Sequence, residues 1–216
     1  MTISLVKGQK ISLAKDTECS LQNICIGINW GAIEKTEVVK RGGFFGIGGV
    51  PIEEVKKKSV DLDASCVMLT RDNNEYDTIY YGNLKSSCRS IKHSGDDLDG
   101  DMYGNDGRDN EVISVNLSKI PVEVEKVFFF LNSFRKQDFA DIPYANIRIY
   151  EGTPKRVDKV LATYDIANDK NFARKISMIM GKLYKHNDEW KFHAIGEPTI
   201  DRNLDNTVAT IINDYA

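Results

Sequence analysis

A chain of 216 residues, 41% hydrophobic and 28% charged, holds enough apolar material for one large domain and needs neither disulfides nor a metal merely to fold. Its net charge of −3 excludes a globally basic surface, so no nucleic-acid partner is expected. Residues 1–8 carry no apolar signal core, and no run approaches the ~18 apolar residues of a membrane span; the expectation is a cytoplasmic protein without direct membrane insertion.

Along the chain the hydrophobic period is mostly two. Ile24, Ile26 and Ile28 alternate, and so do Val60, Leu62, Ala64, Cys66 and Met68, with Asp61, Asp63 and Ser65 facing the other way. Residues 111–117, 124–132 and 145–150 follow, then Val160, Ala162 and Tyr164, then Ile176, Met178 and Met180. Phe128-Phe129-Phe130-Leu131 is the most apolar stretch and has the length of a strand. His186-Asn187-Asp188-Glu189 reads as a hairpin turn. In the tail, Leu204, Val208, Ile211 and Ile212 fall at i, i+4, i+7 and i+8, which predicts a helix capped by Asp201 or Asn203. The fold class expected is all-β: an antiparallel β-sandwich over residues 1–196, with a short C-terminal helix in residues 197–216 packed on the same domain.

Residues 31–59 interrupt this rhythm with Arg41-Gly42-Gly43-Phe44-Phe45-Gly46-Ile47-Gly48-Gly49 and, later, Lys56-Lys57-Lys58. The glycines fit neither a dinucleotide fingerprint nor a phosphate-binding loop. The segment reads as an inserted hairpin or lid; the sharper alternative is a partner-docking loop presenting Phe44 and Phe45. Cys19, Cys25, Cys66 and Cys88 form no Cys-x-x-Cys pair and read as reduced thiols on strands.

The second interruption is acidic. Residues 94–111 hold seven acids (Asp96, Asp97, Asp99, Asp101, Asp106, Asp109 and Glu111) and one base, Arg108, a net of −6; the rest of the chain therefore sums to +3. Carboxylates about 4 Å apart repel by ~1 kcal/mol even in bulk water and by more at a protein surface. Such a loop either stays solvated and expanded or is neutralised by a cation. Gly95, Gly100, Gly104 and Gly107 allow the backbone to curl and aim carbonyls inward, which with the acids makes a hard-oxygen cage suited to calcium. The spacing is not that of an EF-hand: counted from Asp97, position 6 is Met102, and counted from Asp99, position 12 is Asn110. Asp61 and Asp63, on one strand face, could floor the same cage.

Val60-Asp61-Leu62-Asp63-Ala64-Ser65-Cys66, followed by His93-Ser94-Gly95-Asp96-Asp97 and Asp109-Asn110-Glu111, resembles the TerD family of tellurite-resistance and stress-response proteins. The opening Ser4-Leu5-Val6-Lys7-Gly8-Gln9-Lys10-Ile11-Ser12-Leu13 is similar too, as are Gly181-Lys182-Leu183-Tyr184 and Glu189-Trp190-Lys191-Phe192. The resemblance covers roughly residues 1–196, and the inserted 31–59 segment marks a paralogue. It implies a bacterial, cytoplasmic, non-catalytic β-sandwich binding two calcium ions, with Asp61, Asp63, Asp96, Asp97, Asp101, Asp106, Asp109 and Glu111 as candidate ligands. It implies partners among other Ter-type proteins, in a complex associated with the membrane. The competing reading is a metal-dependent hydrolase using the same carboxylates, with His93 as general base.

Overall fold

The period-two stretches become two six-stranded sheets packed face to face in the computed structural model, which describes residues 3–4, 6–13, 21–41, 50–165, 170–187 and 189–216. The first sheet contains β1 (Ile3–Ser4), β3 (Asn23–Trp30), β8 (Ile91–His93), β9 (Glu111–Asn116), β11 (Ala145–Thr153) and β12 (Arg156–Asp165), in the order β1-β12-β11-β3-β9-β8. The second contains β2 (Lys10–Ser12), β6 (Leu62–Thr70), β7 (Glu75–Ile79), β10 (Val124–Ser133), β13 (Ser177–His186) and β14 (Glu189–Thr199), in the order β2-β14-β13-β10-β6-β7. β1 runs parallel to β12. The neighbouring pairs β3–β9, β3–β11, β6–β10 and β10–β13 are antiparallel.

Alternation decides which side chains meet between the sheets. Ile24, Ile26 and Ile28 of β3 face Leu62, Ala64, Cys66 and Met68 of β6 and Val127, Phe129 and Leu131 of β10 in one apolar core. β10 is apolar on both faces because both are covered. Phe128 and Phe130, with Val67 and Leu69 of β6, lie under α1 (Leu204–Thr210) and the π-helical turn Ile211–Tyr215, against Val208 and Ile211. Burying side chains of this kind is worth about 1.5–3 kcal/mol each, enough to hold a helix too short to persist alone. Of the two expected caps Asn203 serves, its Oδ1 accepting from Asn206 N at 2.9 Å. The β13–β14 turn carries Asn187 at φ +54°.

The inserted segment forms a separate hairpin of β4 (Ile33–Arg41) and β5 (Val50–Lys58). Among the described residues of its two strands only the root, Ile33, is buried; Val38, Val50 and Val55 are more than half exposed. Lys56–Glu37 at 2.6 Å, Lys57–Glu34 at 3.0 Å and the Arg41–Glu54 pair lace it. Phe44 and Phe45, the pair that the docking-loop reading would present, lie outside the described residues. Cys25 and Cys66 are buried free thiols and Cys88 is half-buried, while Cys19 also falls outside the described residues.

Candidate metal centre

The acidic loop is fastened to the end of β3 before any ion is considered. Asp101 N donates to Trp30 O at 3.0 Å, Val60 N donates to Asp99 O at 3.1 Å, and the Trp30 indole donates to Val60 O at 2.8 Å. Gly100, at φ +67°, lies so close over the indole that a Cβ there would come within 2.6 Å of it, so the loop needs glycine at this point.

The loop crosses the open end of β6, where Asp61 and Asp63 share a face. Ligand oxygens of Asp61, Asp63 and Asp96 lie within 4.8 Å of one another. Asp61 and Asp63 are buried and Asp96 is exposed, so the cluster has a rigid floor and an open mouth. Asp61 is held by its own backbone: Phe134 N donates to its carbonyl at 3.0 Å, and its N–H donates to Gln137 Oε1 at 3.4 Å. Arg135 Nε stands 3.3 Å from Asp61 Oδ2, while Asp61 Oδ1 is buried with no partner. Burial, helped by Glu111, Asp61 and Asp96, pushes Asp63 up to about 8. Burial also raises Asp61, with Asp96, Asp99 and Asp97 adding to it against Arg135. Two buried carboxylates grouped with the exposed Asp96, one of them keeping an oxygen without a partner, fit a hard divalent cation.

Glu111 is wholly buried and holds the frame. Its Oε2 accepts from Ala64 N at 2.8 Å and its Oε1 from Asp97 N at 3.1 Å. His93 Nδ1 accepts from Gly95 N at 3.1 Å, so the ring hydrogen sits on Nε2, between Ala64 O at 3.0 Å and Glu111 Oε2 at 3.3 Å. Both ring nitrogens are therefore engaged, and the ring is only 1% exposed. Burial holds the Glu111 carboxyl above the usual glutamate value although these donors pull the other way.

The remaining candidates are engaged with protein donors. Asp97 Oδ1 accepts from Asp99 N at 3.1 Å and Gly100 N at 2.8 Å. Asp101 accepts from Asn29 Nδ2 at 2.9 Å and from the Tyr144 hydroxyl at 2.8 Å. Asn110 Nδ2 stands between them, 3.4 Å from Asp97 Oδ2 and 3.3 Å from Asp101 Oδ1. Asp106 is exposed and caps its own turn through Arg108 N at 2.9 Å. Asp109 lies elsewhere, on the outer face of the first sheet, paired with Arg148 Nε at 2.7 Å. It sits directly over Gly27, where a Cβ would come within 2.0 Å of its carboxylate.

Sequence reading missed Arg135, Asn29 and Asn110. Asn29 had a visible signal, a lone amide in the apolar run of β3; its Nδ2 also donates to Arg108 O at 2.7 Å.

Comparison with known proteins identifies the family and the fold. The TerD domain model matches residues 1–215. Tellurium resistance protein TerZ of Serratia marcescens is 34% identical over 211 residues, covering 98% of this chain and 97% of that one. Stress response protein SCP2 of Bacillus subtilis is 34% identical over 221 residues, covering 98% of this chain and all of the other. Among solved structures, a homologue of telluride resistance protein (TerD) from Streptomyces coelicolor A3(2) superposes with a TM-score of 0.61 at 11% identity, over 90% of this chain and 97% of that one. Among the described residues no helix is long and apolar enough to cross a membrane. The chain belongs to the TerD family, whose members are tellurium-resistance and stress-response proteins.

Proposed function

We propose that this protein is a calcium-binding, non-catalytic module of the bacterial stress response, working in the cytoplasm through protein partners. The observation that carries the reading is the orphaned, buried Asp61 Oδ1 within a cluster whose three carboxylates lie within 4.8 Å. Asp61, Asp63 and Asp96 would hold the ion; calcium's preference for 6–8 oxygens at flexible angles leaves places for waters or loop carbonyls at the open mouth. The bound cation would supply fixed positive charge that draws the acidic loop onto β6. Other Ter-type proteins, some membrane-associated, are the partners the family likeness suggests. A second ion, also suggested by that likeness, would have to displace the Asn110 amide from between Asp97 and Asp101. The hydrolase alternative gains no support from His93, whose two ring nitrogens are both engaged.

Calorimetry on chelator-treated protein tests the proposal. Saturable calcium binding with a raised melting temperature is expected, and the fitted stoichiometry distinguishes one ion from two. No heat and no thermal shift up to about 1 mM calcium, the weak end of protein calcium sites, would overturn it.

A further inference from the structure

The β4–β5 hairpin is a two-stranded sheet of its own, so β5 has β4 on one side and, among the described residues, no strand on the other. Every residue of β5 is exposed except the half-buried Glu54. Such an edge offers unpaired backbone N–H and C=O groups to any strand that fits. Lysines normally blunt an edge, because an incoming copy of the same strand meets like charge. In β5 they do not. Glu53-Glu54 precede Val55 and Lys56-Lys57-Lys58 follow it, so the strand laid antiparallel to itself meets opposite charge.

The register of that pairing follows from symmetry. Directly opposed residues of an antiparallel pair share a face, so a two-fold axis normal to the sheet has to pass beside one residue. At Glu53 or Glu54 the axis would oppose two carboxylates, and at Lys56 or Lys57 two ammonium groups. Only Val55 opposes uncharged side chains. Centred there, Glu54 faces Lys56 of the second copy and Glu53 faces its Lys57, each pair occurring twice. Pro51, which has no N–H to donate, falls just outside the paired residues 52–58. The hairpin's own register points the same way. It sets Glu37 opposite Glu54 and Lys35 opposite Lys56, like-charge pairs that destabilise a sheet and are relieved here along the diagonal, by Lys56–Glu37 at 2.6 Å. In the paired copies Glu37 and Glu54 continue into Lys56 and Lys35 of the second copy as one row, acids against bases. Glu53, without an ion pair among the described residues, gains one.

We infer that the outer edge of β5 is a self-association surface whose occupant is β5 of a second copy of this chain, joined antiparallel about Val55 into a four-stranded sheet. The surface goes beyond the calcium reading and shares no residue with the carboxylate cluster. Residues 52–58 are fewer than the ~20–30 a side of a stable complex, so the dimer is weak and grows with concentration.

Sedimentation equilibrium of the full chain in chelator, over about 0.01–1 mM protein, tests it. A monomer–dimer equilibrium is expected, weakening as salt rises from about 0.02 to 0.5 M and the charges are screened. Glu53→Lys with Glu54→Lys, and separately Lys56→Glu with Lys57→Glu, should each raise the dissociation constant at least about tenfold, because like charges then meet across the axis. Mixed one to one, the two variants should form a heterodimer. Val55→Cys, in a Cys88→Ser background and without any change of charge, should cross-link under mild oxidation, since opposed Cβ atoms lie about 4.5–5.5 Å apart, near disulfide reach. Val38→Cys, also more than half exposed but three strand spacings or at least about 14 Å from its counterpart, should not. A chain that stays monomeric throughout leaves the edge to a strand of some other protein and overturns the inference. So does a dimer indifferent to both charge reversals, or equal cross-linking through Val38→Cys and Val55→Cys.

Discussion

Glu111 Oε2 accepts the backbone N–H of Ala64 at 2.8 Å, so a carboxylate at the start of β9 in the first sheet is bonded near the start of the aspartate-bearing strand β6 in the second. Its other oxygen takes Asp97 N from the loop. One buried side chain thus ties both sheets and the loop together immediately behind Asp61 and Asp63.

Replacing Glu111 with alanine would leave the Ala64 and Asp97 amides and the His93 Nε2–H without this acceptor in a site that is 0% exposed. The expected loss is about 3–5 kcal/mol of unfolding free energy, the cost of breaking a buried charged network. Glu111→Gln keeps the shape but turns one acceptor into a donor, and should lose less, about 1–3 kcal/mol. Urea titration at unchanged m value measures both; a Glu111→Ala loss below ~1 kcal/mol would mean that the strut is not structural.

Asp61 and Asp109 should separate cleanly as candidate ligands. Asp61 has a buried oxygen without a partner, whereas Asp109 is neutralised by Arg148 on the opposite outer face. Asp61→Asn should abolish the strongest calcium heat. Asp109→Asn should leave calcium stoichiometry unchanged while costing about 1–3 kcal/mol of stability, since it leaves Arg148 half-buried and unpaired. Equal loss of calcium binding in the two variants would refute this assignment.

This contrast also shows where the sequence was legible. The alternation of β6 announced a strand with Asp61 and Asp63 on one face, and the net −6 of residues 94–111 announced a loop to lie over them; Asp96 does close onto that pair. Asp109 reads identically to its neighbours in sequence. What removes it from the cluster is Arg148, some forty residues later, and the missing side chain at Gly27, and neither is a local signal. The Asn132 amide was illegible for a related reason, because the Ser177 and Thr207 hydroxyls to which its Nδ2 donates, each at 2.9 Å, come from two distant elements. In β10, the run Phe128 to Leu131 could not reveal two buried faces until α1 was seen covering one of them.

The buried thiols make a pH prediction. Burial, with Asp109 adding to it, raises Cys25 from 9.0 to about 11, and burial raises Cys66 further. A thiol with a raised folded pKa retains its proton in the folded state where the unfolded chain releases it. Stability is therefore unaffected well below pH 9 and falls as pH rises from about 9 towards 11. Iodoacetamide at pH 8, followed by peptide mass spectrometry, should label the half-buried Cys88 well ahead of Cys25 and Cys66. Prompt labelling of Cys66 in folded protein would contradict the packing described.

The β4–β5 hairpin should be dispensable for folding. A two-stranded hairpin in water is marginal on its own, and exposed ion pairs like those lacing this one add about 0–1 kcal/mol each. Its root, Ile33, sits in the core and pairs directly with Lys58, so the two ends already stand side by side at the sandwich. Deleting residues 34–57 and joining Ile33 to Lys58 through Gly-Gly closes the antiparallel pair with a two-residue turn. The shortened protein should melt cooperatively within about 4 °C of the parent, the shift that ~1 kcal/mol produces at this size. It should also keep its calcium heat, because among the described residues no hydrogen bond or ion pair joins Asp61, Asp63 or Asp96 to the hairpin strands. Loss of cooperative melting, or of calcium binding, would show that the hairpin folds back onto the body instead of projecting from it.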